Sequence, residues 1–91
     1  MSQIVALDIA KRKLVVKGPN ELGSNGWELV LEEEDYVPVT IVLAYAHDTP
    51  DDIATRARLP LYRHMSNSSW LDENWARLQK SIIEAMQKSG N

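Results

Sequence analysis

Apolar and polar positions repeat with two different periods along the chain, two residues in its first half and about 3.6 in its second, which predicts strands followed by helices. Residues 3–9 and 13–17 are dense in Val, Ile and Leu and flank Lys11 and Arg12, the pattern of a β-hairpin with a cationic turn. In the first of these strands Val5, Leu7 and Ile9 share one face, with Ile4, Ala6 and Asp8 on the other. In the second, Leu14 and Val16 oppose Lys13, Val15 and Lys17. Residues 18–26, GPNELGSNG, collect turn formers and read as a loop. WELVLEE then alternates Trp27, Leu29 and Leu31 against Glu28, Val30 and Glu32, as in an antiparallel strand with one wet face, and runs into acidic residues from Glu32 to Asp35 that should be exposed. YVPVTIVLAYA is apolar on both faces, Val37, Val39, Ile41, Leu43 and Tyr45 on one and Val42 and Ala44 on the other. That pattern predicts a strand covered on both sides, with Pro38, which has no N–H to donate, at its start or at a bulge.

Helical spacing takes over after His47. Thr49 suits an N-cap, Pro50 the first helical position, and Asp51 and Asp52 the positive end of the helix dipole. Pro60 should end this helix within about three turns, because its ring blocks continuation. LPLYRHMSNSS after it reads as irregular or as a short edge strand. In the last segment Ser69 with Asp72 resembles a capping box, and Leu71, Trp75, Leu78, Ile82 and Met86 recur at helical spacing. On the opposite face Glu73 and Arg77, and Glu84 and Lys88, stand at the favourable i, i+4 spacing. The expected fold is α+β: one domain over residues 1–91, with about four mostly antiparallel strands, a short middle helix and a longer C-terminal amphipathic helix on one sheet face. The other face is left to be wetted, covered by the middle segment, or buried against a second copy.

Size sharpens that last point. A chain of 91 residues buries only about 60 to 65 per cent of its unfolded surface, so a homodimer is expected to add stability. Hydrophobic residues at 44% and charged ones at 25% are those of a folded domain. No apolar run approaches the roughly 20 residues of a membrane helix, and MSQIVALDIAKRK does not read as a secretory signal, so a soluble, cytoplasmic protein is expected. The absence of cysteine excludes disulfides, thiolate metal sites and a cysteine nucleophile.

Charge bears on the partner. The net charge is −3, and residues 1–46 carry four Lys or Arg against seven Asp or Glu, whereas a generic nucleic-acid binder carries a basic excess. The stretch RARLPLYRH is a local exception, placing Arg56, Arg58 and Arg63 with Tyr62 and His64 in nine residues without an acid. Trp70 begins the last helix beside its apolar stripe, where it can staple the helix to the sheet or anchor an interface.

Candidate chemistry is thin. IVALDIAKRKLVV, residues 4–16, sets Asp8 in an apolar strand before a basic turn. This arrangement resembles the first hairpin of the RNase H-like nuclease and transposase superfamily, and the resemblance implies a magnesium-binding role for Asp8. Such a site needs further carboxylates from a distant strand and a late helix. Residues 37–46 contain none, and Asp72, Glu73 and Glu84 fall on the wet face of the last helix. Asp8 is therefore read as a solvated strand residue paired with Lys13 or Arg12 across the hairpin. His47 and Asp48 share only a dipeptide with metal-dependent phosphohydrolases, and the serines of SNSSW are explained by helix capping. The glycines at 18, 23, 26 and 90 match neither a phosphate loop nor a dinucleotide fingerprint, so no cofactor and no metal is expected.

The expectation is a non-enzymatic binding or regulatory module acting through protein contacts, of the kind common among small accessory proteins of bacteria and phages. Its contact residues would be Glu33 and Glu34 of the acidic turn, Arg56, Arg58 and Arg63, and Trp70. The alternatives are nucleic-acid binding by Lys11, Arg12, Lys13 and Lys17 with the 56–64 segment, and a metal-dependent, nuclease-like hydrolase using Asp8.

Overall fold

A computed structural model describes residues 3–7, 11–19, 26–65 and 68–89. Four strands, β1 (Gln3–Ala6), β2 (Lys13–Lys17), β3 (Gly26–Glu32) and β4 (Val39–Tyr45), are followed by helices α1 (Pro50–His64) and α2 (Ser68–Ser89). The strands form one antiparallel sheet in the order β1-β2-β3-β4, so every connection within it joins neighbours. The fold is α+β, as the change of period predicts, and α2 is the longer helix.

Both helices lie on the same face. α1 packs on β4 and α2, and α2 on α1, β1 and β2. The core between the layers takes Val5, Leu7, Leu14, Val16, Trp27, Leu29 and Leu31 from the sheet, which is the alternation read from the strands. From α2 it takes Leu71, Trp75, Leu78, Ile82 and Met86, none more than 9% exposed. Burying each such side chain is worth about 1.5 to 3 kcal/mol, so this seam is the main force fastening α2 to the sheet. α1 contributes Ile53, Ala54, Ala57 and Leu61.

The start of α1 follows the capping chemistry: the Thr49 hydroxyl accepts from the Asp52 N–H at 3.2 Å, and Pro50 opens the first turn. Its end does not follow Pro60. The helix runs through that residue to His64, and residues 61–64 are helical rather than irregular or strand. A helix-interior proline costs about 3 kcal/mol through its missing N–H and its ring. Leu61, fully buried, and Met65, buried just beyond, offset that cost, and the Met65 N–H closes the end on the Leu61 carbonyl at 2.8 Å. α2 likewise begins at Ser68, which puts Ser69 inside the helix rather than at its cap. The Asp72 carboxylate instead accepts from Arg58 at 3.2 Å.

The largest departure from the strand pattern is in β4. Leu29 stands opposite Val42 and Val30 opposite Thr40, so Ile41 is an extra residue at a bulge. The bulge reverses the alternation after it. Val39, Ile41, Val42 and Ala44 belong to or pack against the core, whereas Leu43 and Tyr45 turn to the outer face and are 69% and 70% exposed. β4 is therefore not covered on both sides, and Val37, before it, is exposed too. Pro38 immediately precedes the strand, as expected.

Candidate functional site

β2 and β3 place Lys13 opposite Glu32. Continued past the strand ends, this register sets Arg12 against Glu33 and Lys11 against Glu34. All three pairs form, Lys13 to Glu32 at 3.7 Å, Arg12 to Glu33 at 2.6 Å and Lys11 to Glu34 at 3.0 Å. The cationic turn thus neutralises the acidic run beside it. Arg12 does not depend on Asp8 for a partner, and Asp8 itself lies outside the described residues. The signal was in the chain: KRK at 11–13 and EEE at 32–34 are mirrored runs at the ends of paired strands.

The middle pair differs from its neighbours in burial, with side-chain exposures of 11% for Arg12 and 20% for Glu33 against 78% and 56% for Lys11 and Glu34. Glu33→Ala is accordingly expected to lower stability by about 1 to 3 kcal/mol by removing the carboxylate that pairs with a largely buried guanidinium. Glu34→Ala should change it by less than about 0.5 kcal/mol. Urea denaturation of both variants measures this, and equal effects would contradict the assignment of Glu33 to the fold.

The three arginines of the 56–64 segment go separate ways. Arg56 reaches the outer edge of β4, donating to the Leu43 carbonyl at 2.9 Å and to Asp48 Oδ2 at 3.4 Å, while the same carboxylate oxygen accepts the Tyr45 N–H at 2.9 Å. Arg58 turns toward α2, over the rings of Tyr62 and Trp75 and against Asp72. Arg63 is exposed in the last turn of α1. Trp70 is half-buried against the core, with Arg77 over its ring at 5.8 Å, which is the arrangement of a staple. From this segment it is His64 that meets the acidic turn. Together with Arg12, Glu33, Tyr36 and Val39 it lines a cleft of about 470 Å³. Glu33 and Glu34 pair with Arg12 and Lys11, and the contacts of Arg56, Arg58 and Trp70 run to Leu43 and Asp48, to Asp72, and to Arg77.

The structure also assembles the outer face of the sheet. A row of Ile4, Val15, Val30 and Thr40 crosses the four strands. Val15 and Val30, directly opposite each other, are 7% and 5% exposed and sit between Lys13 with Glu32 and Lys17 with Glu28. Thr40 Oγ1 donates to Glu28 at 2.7 Å. Leu43 and Tyr45 stand on the β4 side of this face, and the Tyr45 ring stacks on His47 with centroids 5.4 Å apart and planes 8° apart. Sequence reasoning missed both residues as surface groups, since strict alternation buries them beside Ile41.

For chemistry this offers apolar and aromatic contact beside an arginine. Among the described residues no three His, Asp or Glu side chains are grouped to hold a metal ion, and no helix is long and apolar enough to cross a membrane. Compared with known protein families, with curated proteins and with solved structures, the chain matches none.

Proposed function

We propose that the protein is a non-enzymatic contact module of the cytoplasm that works as a homodimer and binds a partner protein through the β4 side of its outer sheet face. One observation carries this reading: Leu43 and Tyr45, both about 70% exposed, project together from a strand that is itself rigidly held. Large apolar side chains grouped on an uncovered face favour association, and tyrosine is enriched in interfaces because it offers contact area at low entropic cost. β4 is fixed beneath by Ile41 and Val42 and along its edge by Arg56 and Asp48, so docking on it orders little that was free.

The state of the cations favours a protein partner over nucleic acid. Of the seven cations that would form a nucleic-acid surface, Lys11, Arg12, Lys13, Arg56 and Arg58 are each paired with a carboxylate of their own chain, which lowers the positive charge that surface offers to phosphates. The test is site-specific photo-crosslinking in cells that naturally make the protein, with the probe at position 43, 45 or, as a control, 73 on the exposed side of α2. Positions 43 and 45 should give one and the same protein adduct that position 73 does not. Adducts to nucleic acid, or equal labelling from all three positions, would overturn the reading.

A further inference from the structure

β4 ends the strand order of the sheet, with β3 as its neighbour on one side. An edge strand turns the N–H and C=O of every second residue away from its neighbour, and a bare row of such groups is a template on which another strand can add. The sequence of this strand makes the hazard large. VTIVLAY, Val39–Tyr45, is uncharged, lacks Pro and Gly, and is rich in β-branched residues, the composition of segments that stack into self-paired sheets. Leu43 and Tyr45 add two exposed apolar side chains.

The edge is nevertheless closed along its length. Pro38, just before the strand, has no N–H to offer, and the bulge at Ile41 breaks the regular spacing that an added strand needs. Beyond the bulge Val42–Tyr45 run in regular register, and there outward groups are taken from within the chain. The Tyr45 N–H donates to Asp48 Oδ2 at 2.9 Å and the Tyr45 carbonyl accepts the Asp48 N–H at 3.0 Å, so Asp48 meets both groups of one residue, as a paired strand would. The Leu43 carbonyl accepts from the Arg56 guanidinium at 2.9 Å, and that guanidinium also donates to Asp48 Oδ2 at 3.4 Å. Arg56 comes from α1, which packs on β4, so the helix carries this part of the closure.

We propose that Arg56 and Asp48 form a cap that keeps the VTIVLAY edge from pairing with the same segment of a second copy, while leaving the Leu43 and Tyr45 side chains displayed on the face. Their own ion pair, with side chains 49% and 24% exposed, contributes little to folding. The effect of the cap is therefore on association. This goes beyond the reading above, because the edge is closed whether or not a partner protein meets the face.

Sedimentation velocity of the purified full chain from about 1 to 500 µM, a range in which unpaired strand edges aggregate, tests this together with thioflavin T fluorescence. Asp48→Ala with Arg56→Ala should keep the wild-type far-ultraviolet spectrum when dilute. As concentration rises it should reach at least double the wild-type mass and become thioflavin-positive. Asp48→Asn with Arg56→Lys, in which both side chains can still bond to the backbone of β4, should stay at the wild-type mass. Arg58→Ala, on the same helix but turned to α2, should do the same. If the double alanine variant is unfolded when dilute, Asp48→Ala against Asp48→Asn decides alone, the first assembling and the second not. A thioflavin-positive wild type, or assembly in both members of a pair or in neither, overturns the proposal. Crosslinking from positions 43 and 45 reads a foreign protein on the face rather than self-pairing at the edge, so it succeeds or fails independently.

Discussion

Leu78→Ala is expected to lower the unfolding free energy by about 3 kcal/mol and the melting temperature by roughly 12 to 24 °C, the largest single effect in this chain. Leu78 is the middle member of the α2 seam and is fully buried among side chains from both layers. Removing it loses the transfer energy of the deleted carbons and leaves a cavity that neighbours held by sheet and helix cannot close. A domain of this size has about 5 to 15 kcal/mol in total, so the variant forfeits a large share of it. Chemical denaturation with a check on the m-value measures the loss. A result under about 1 kcal/mol would mean that α2 does not depend on this seam.

The second large effect comes from the backbone. Gly26 opens β3 opposite Tyr45, and a Cβ built on it would stand 2.1 Å from the Ala44 carbonyl oxygen and 3.2 Å from its carbonyl carbon. Both are main-chain atoms, so no rotamer change can relieve the contact. Gly26→Ala must part the ends of β3 and β4, at an expected cost of about 1 to 3 kcal/mol, the range for overpacked sites. The disturbance falls where Leu43 and Tyr45 are displayed. Amide exchange in residues 42–45 should therefore speed up by more than the global loss of stability explains. Unchanged melting and unchanged exchange would show that the strands do not approach this closely.

The two predictions rest on different kinds of information. The α2 seam is legible because a 3.6-residue period is a local property: Leu71, Trp75, Leu78, Ile82 and Met86 announce a buried stripe whatever they pack against. The cap at Thr49 and Pro50 is legible for the same reason, since side chain and target N–H lie within one turn. The close approach at Gly26 is not, because it depends on which residue of another strand stands opposite.

The same division explains the candidate site. Arg56, Arg58 and Arg63 look like one basic cluster when ordered along the chain, but a helix turns successive residues to different sides: Arg56 finds its partner on β4, Arg58 on α2, and Arg63 is exposed. Glu33 and Glu34 look equivalent as neighbours in an acidic run. The hairpin makes one a largely buried partner of Arg12 and leaves the other at the surface. Trp70 divides between staple and anchor until the position of the sheet beneath it is known.

By itself the sequence determined the number and kind of elements, the antiparallel order that short connections impose, and the inward faces of β1, β2, β3 and α2. Each of these follows from periodicity and turn chemistry acting over a few residues. Only the tertiary structure decided the rest. It placed one extra residue, Ile41, in the ladder and so turned Leu43 and Tyr45 outward. It carried α1 past Pro60 because Leu61 and Met65 had a core to enter. It also capped the outward backbone groups of Leu43 and Tyr45, at one edge of the sheet, with Arg56 and Asp48. In each case the outcome was set by energies between groups far apart in the chain, which no local pattern encodes.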